Sequence, residues 1–171
     1  MALKTEESRS IYDLDHHWIS QKNKTITLKD LIGAPAIVTM IFTHCPGACP
    51  LIVSEIKSFD RQLSKQEKKK IKFVVFSIDP VRDRPQALEL FYKKMSLDNR
   101  WTLLTSDNEQ VREMAAVLGF GYKDIGGGDF THSRTLFLIS AQGQILVREE
   151  GDSDWKEFLA KFRTEISKVK K

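Results

Sequence analysis

Runs of apolar residues alternate with stretches whose apolar positions recur every three or four residues. Ala36 to Phe42 is apolar except for Thr39 and reads as a buried central strand. Ile52, Ile56, Phe59 and Leu63 follow at helical spacing. Ile71 to Ile78 predicts a second buried strand, and Leu88, Phe91, Tyr92 and Met95 form the stripe of the helix after it. That helix is expected to be capped by Asp83, with Pro85 in its first turn. Trp101 to Thr105 predicts a short strand. Ser106 and Glu109 suggest a capping box for a helix packed through Val111, Met114, Ala115 and Leu118, closed by Gly119. A long loop containing Gly126, Gly127 and Gly128 is expected next. Then come a strand over 134–139, a turn at Gln142-Gly143, a partner strand over 144–148, and a helix packing through Trp155, Phe158, Leu159, Phe162 and Ile166. Ahead of all this, Trp18-Ile19-Ser20 and Thr25-Ile26-Thr27 flank a polar turn and predict a hairpin.

The order is hairpin, β-α-β-α-β-α, then β-β-α. This predicts an α/β fold, thioredoxin-like, with an N-terminal β-hairpin and a helix-strand insertion. The chain has 171 residues, 41% hydrophobic and 29% charged, enough for one core and too ordered in composition for a disordered or disulfide-dense chain. A single domain over 11–168 is expected, with 1–10 a flexible N-terminal segment or the edge of an excised domain. The longest apolar stretch is too short and interrupted to span a membrane. Lys plus Arg exceed Asp plus Glu by 27 to 23. Much of that excess sits in Lys65, Lys68, Lys69 and Lys70 and in Lys168, Lys170 and Lys171. No aromatics interleave with them, so they read as a solvated loop and a tail rather than a nucleic-acid surface.

The chain has two cysteines, both in Thr43-His44-Cys45-Pro46-Gly47-Ala48-Cys49-Pro50, where a buried strand gives way to a helix. Ligand sites in α/β sheets gather at such strand ends. A helix N-terminus lowers a thiol's pKa, so at least one cysteine should be partly ionised near neutral pH. Neither cysteine lies on the helix stripe as drawn from Ile52 onward. Positions four apart are neighbours on a helical turn, so the pair could close a disulfide or aim two thiolates at one ion. Two soft sulfurs favour Cu(I) first and Zn(II) second. Candidates for a third ligand are His16, His17, His44 and His132. His132 is best placed, because in a thioredoxin-like sheet the start of its strand abuts the cysteine loop. Thioredoxins carry a cis-proline there; here Arg134 stands about there, and positions 131–139 hold no proline. His44 is next. His16 and His17 read as surface residues.

The chain resembles the Sco/SenC family of copper-binding assembly proteins. The resemblance rests on Phe42-Thr-His-Cys45-Pro-x-x-Cys49-Pro50, on Ser77-Ile-Asp79-Pro80-x-Arg82-Asp83, on Trp101-x-x-Leu104-Thr105, and on His132-Ser133 before the Leu136 to Ile139 strand with the closing Gly143. It implies one copper, Cu(I) or Cu(II), held by Cys45, Cys49 and His132. It also implies a role in maturing the Cu(A) centre of cytochrome c oxidase subunit II, with another copper chaperone as a further partner. A periplasmic location, on the outer face of the energy-transducing membrane, would follow, with an N-terminal helix outside this chain as tether. A monomer is the expectation. Two departures stand out: Gly47-Ala48 between the cysteines, where many relatives are acidic or polar, and Thr131 before the histidine, where many have Asp. The second removes a carboxylate that could orient the imidazole.

The same residues allow a thiol-disulfide oxidoreductase, with Cys45 attacking and Cys49 resolving. The longer spacing and missing cis-proline argue against a general one. A peroxiredoxin-type peroxidase needs Thr or Ser three residues before its reactive cysteine, and Phe42 stands there. Asp79 reads as a cap for the turn through Pro80 and Arg82, or as a docking carboxylate beside the cysteines.

Overall fold

A computed structural model describes residues 10–150 and 154–168. The hairpin forms from β1 (His17–Ser20) and β2 (Thr25–Thr27), with Trp18 opposite Ile26. The central strands are β3 (Ala36–Ile41), β4 (Lys72–Ser77) and β5 (Trp101–Thr105), all parallel. Every residue of β3 is buried, as expected of a strand covered on both faces. Strand β8 (Thr135–Ile139) runs antiparallel beside β3, and β9 (Ile145–Glu150) runs antiparallel beside β8 at the sheet edge. The sheet order is β2-β1-β5-β4-β3-β8-β9.

Helix α1 (Ala48–Arg61) crosses from β3 to β4, and α3 (Pro85–Lys94) crosses from β4 to β5. Phe59 of α1 packs its ring on Trp155, Phe158 and Phe162 of α5 (Trp155–Lys168), and Lys57 donates to the Met95 carbonyl at the end of α3. Helix α4 (Asn108–Leu118) leads back from β5 toward β8. The β4-β3-β8-β9 portion with its crossing helix is the thioredoxin-like core; β5, α4 and the N-terminal hairpin extend it.

Several local expectations are corrected. The glycine-rich segment is a second, two-stranded sheet: β6 (Tyr122–Gly126) pairs with β7 (Asp129–His132) through a turn in which Gly126, Gly127 and Gly128 all have positive φ. Helix α4 is capped by Asp107, whose side chain accepts from Gln110 N–H, and not by Ser106. Ser106 instead donates to the His17 carbonyl. Arg84, not Asp83, holds the N-cap position of α3, because the Asp83 carboxylate is spent inward. The lysine-rich stretch includes a short helix, α2 (Lys65–Lys68), opened by a Ser64–Glu67 capping box. His16 is buried, 4% exposed, with Nε2 2.6 Å from Glu113 Oε2. Alternation along β1 puts it on the same inward side as Trp18. His17 is exposed, as expected.

The expectation for residues 1–9 lies outside the described residues; Ser10 donates to the Gln142 carbonyl at 2.5 Å. No cis peptide occurs among the described residues.

Candidate metal centre

Strands β3 and β4 end level with one another, Ile41 opposite Ser77, so the chain leaves the sheet at Phe42 and Ile78 side by side. After β3 it makes a tight turn, Cys45 N–H to the Phe42 carbonyl at 3.3 Å, and enters α1 through Gly47. Pro50 is tolerated in the first turn of α1, where backbone N–H groups have no helical partner.

The two cysteines occupy different environments. Both are free thiols. Cys45 is half-buried just ahead of α1. Partial burial pushes its thiol up, but hydrogen bonds from the backbone N–H groups of Cys49, Gly47 and Ala48 outweigh this and hold it below the ordinary thiol range. Cys49 is in the first turn of α1 and fully buried. It continues the inward stripe of Ile52, Val53, Ile56 and Phe59 by one turn, contrary to the sequence reading that set it off the stripe. Burial, reinforced by the Cys45 sulfur, pushes its thiol well up, against a backbone hydrogen bond from Phe42.

His132 closes β7. Its imidazole lies edge-on to Phe42 at 5.8 Å between ring centroids and stacks on Phe120 at 6.0 Å with 20° between planes. Its Nδ1 is 2.9 Å from the Ser133 carbonyl. A carbonyl only accepts, so Nδ1 carries the proton and the lone pair of Nε2 faces outward from that bond. Nε2 lies 3.7 Å from Cys49 Sγ, where it can accept the S–H proton. The Ser133 carbonyl thus orients the ring in place of the carboxylate that Thr131 does not supply.

The ligating atoms of Cys45, Cys49 and His132 all fall within 4.8 Å of one another. Metal–sulfur and metal–nitrogen bonds of about 2.3 and 2.0 Å at a trigonal angle separate sulfur from nitrogen by about 3.7 Å. The Cys49–His132 distance therefore already suits a shared ion. Two thiolates and an imidazole are a donor set for a soft ion.

His44 goes elsewhere. It is exposed, with Nδ1 3.7 Å from Asp83 Oδ1, in a separate group with Asp79 and Asp83. The oxygens of that group are taken up by protein donors. Asp83, fully buried, accepts from Ser77 Oγ at 2.6 Å, from Thr43 Oγ1 at 2.5 Å and from Thr43 N–H at 3.0 Å. Burial raises its pKa despite these bonds. Asp79 caps its turn, accepting from Arg82 N–H at 3.3 Å and from Arg82 Nε at 2.5 Å.

The sequence reading missed the aromatic enclosure of the imidazole and the Asp83 tie. Phe130 and His132 alternating with Asp129 and Thr131 after three glycines was the available signal for the strand that delivers the ring.

Comparison with known proteins agrees with this architecture. The SCO1/SenC family model matches residues 4–167. A SCO1 protein homolog of Bacillus subtilis is 28% identical over 137 residues, 77% of this chain and 70% of that protein. The fold superposes on a SCO1/SenC family lipoprotein of Bacillus anthracis with a TM-score of 0.81 at 24% identity, covering 96% of this chain and 99% of the other. It superposes on Arabidopsis thaliana ScoI, crystallised with copper bound, with a TM-score of 0.77 at 22% identity, covering 89% and 96%. The chain belongs to the SCO1/SenC family.

Proposed function

We propose that this SCO1/SenC member is a copper-binding assembly factor that holds one Cu(I) or Cu(II) through Cys45, Cys49 and His132 and serves the Cu(A) centre of cytochrome c oxidase subunit II. The observation that carries the reading is the convergence of two sulfurs and one oriented imidazole nitrogen within 4.8 Å. The copper-bound Arabidopsis relative supports the choice of metal, and the family resemblance supports the assembly role. A tethered site on the outer face of the membrane accords with the Bacillus anthracis relative being a lipoprotein. Among the described residues no helix is long and apolar enough to cross a membrane.

The chemistry follows from the asymmetry of the ligands. Cys45 is the accessible thiol and Cys49 the buried one. An acceptor thiolate can approach the ion on the Cys45 side and take it ligand by ligand, without the protein unfolding. In a competition between the reduced protein and a Cu(I) chelator, one equivalent of Cu(I) should stay with the protein. Complete loss to a weak chelator contradicts the proposal.

A second reading is favoured by the same asymmetry. The Cys45 thiolate attacks a partner's disulfide, forming a mixed disulfide and releasing one partner thiol. Cys49 then gives up its proton and attacks the Cys45 sulfur, releasing the second. Two electrons pass to the partner, and Cys45–Cys49 is left as a disulfide. The metal-free reduced protein should then reduce an oxidised Cu(A)-type domain one for one.

A further inference from the structure

The hairpin that carries His132 belongs to neither flank of the main sheet: among the described residues, β6 and β7 pair only with each other. At its base, Ser133 N–H bonds the Gly121 carbonyl at 2.9 Å. On its inner side Phe130 rests on Phe42, with ring centroids 5.2 Å apart. The same face also borders a cleft of about 620 Å³ lined by Asp79, Arg82, Arg112, Tyr122, Asp124 and Phe130, among others.

One side chain bridges from the sheet to the far end of this hairpin. Arg82, in the turn after β4, donates through Nη2 to the Gly128 carbonyl. Its guanidinium is aimed by Asp79, which takes the Nε proton at 2.5 Å and the Arg82 N–H at 3.3 Å. The fit is close: a Cβ at position 128 would come within 2.9 Å of Arg82 Cζ and nearer still to Nη1, so the guanidinium would have to shift away from this contact. The backbone at Gly128 also has φ +83°, where L side chains are strained.

We propose that Arg82 is a positioning residue for the metal centre. By pinning the glycine turn to the carboxyl end of β4, it holds the β6–β7 hairpin so that His132 meets the two cysteines. This rests on the copper reading above for its consequence, though not for its geometry. The cysteines are fixed by the sheet and α1; the imidazole is fixed by packing and by this strut. Lysine cannot replace the residue, because a single ammonium on a flexible stem cannot hold the Asp79 carboxylate and the Gly128 carbonyl in one rigid fork.

The test compares the wild-type protein with Arg82→Lys, Arg82→Met and Gly128→Ala. The last disturbs the same contact from the other side and leaves Arg82 in the sequence. In metal-free protein, amide exchange over 122–132 should quicken by about ten- to a hundredfold, the factor governed by one charge-assisted hydrogen bond. Exchange in β3 and β4 should be unchanged. The ring-current shift that Phe120 imposes on the His132 proton signals should shrink in all three variants. With Cu(II) added, dissociation should speed up by about ten- to a hundredfold, as for other residues that orient a ligand, while Cu(I) retention falls less. Unchanged hairpin exchange and unchanged His132 shifts overturn the proposal. So does a loosened hairpin with Cu(II) dissociation equal to wild type. If wild-type protein retains no copper, the copper reading fails, and the exchange and ring-shift measurements still decide whether Arg82 places His132.

Discussion

The two halves of the candidate centre are built to different standards of rigidity. The cysteine half sits where a fully buried parallel strand meets a 14-residue helix, and Asp83 ties its loop to the neighbouring strand with three hydrogen bonds. The histidine half sits on a two-stranded hairpin outside that sheet, held against the rest of the protein by ring packing and the Arg82 contact. Isolated hairpins are marginal in water, so the second half depends on its few docking contacts. The difference teaches how one site can bind tightly yet release: the sulfurs supply a fixed soft anchor, and the imidazole is the ligand with freedom to leave. Oxidation state should follow the same division, since Cu(I) is content with thiolates and Cu(II) has more need of the nitrogen.

The comparison is broken most severely from the cysteine side. Cys49→Ser should abolish Cu(I) retention in a chelator competition, because it removes the sulfur that both the helix and His132 address. If the comparison holds, His132→Ala should instead leave most Cu(I) retention in place. Asp83→Ala should come next, leaving Ser77 and Thr43 donors unpaired in a dry site. A loss of about 2–4 kcal/mol is expected, seen as a Tm lower by about 4–12 °C. Asp83→Asn should cost less, since burial already disfavours the charged form there.

A pH series sharpens the contrast between the two thiols. Cys45 is held low and Cys49 is pushed up, so Cys45 gives up its proton first as pH rises, and above that point the ion must displace mainly the Cys49 proton. Apparent Cu(I) affinity should therefore rise with pH by about tenfold per unit above the Cys45 titration and more steeply below it. Iodoacetamide should label Cys45 ahead of Cys49 in the metal-free protein.

The smallest effect should come from far outside the site. Glu67 is lowered to about 2 by the hydrogen bond from Arg163 of α5, with help from Ser64. Its folded pKa lies below its ordinary 4.5, so the stabilisation is present above that value and disappears as pH falls from there through about 2. Arg163→Gln should lower Tm by about 1–2 °C at neutral pH, less at pH 3, and leave copper binding unchanged.

The sheet and the cysteine half were largely legible in the sequence. Ala36 to Phe42 and Ile71 to Ile78 are long enough apolar runs to declare themselves as strands, and the cysteines interrupt the chain at the junction where ligands gather. Cys49 escapes a helical stripe that starts at Ile52; one turn earlier, the same spacing includes it. The histidine half was less legible, since β6 is mostly exposed and only Phe130 and His132 mark the inward face of β7. The sequence points to Asp83 as a cap because a carboxylate just before a helix usually is one. Only the fold brings Thr43, forty residues away, to claim it.

The most direct test is a titration of reduced protein with Cu(II), followed by optical absorption and electron paramagnetic resonance, with the His132→Ala protein alongside. The account predicts thiolate-to-copper charge-transfer bands saturating at one equivalent, with imidazole nitrogen coupling that disappears in His132→Ala. Identical spectra from the two proteins would contradict a centre built from Cys45, Cys49 and His132.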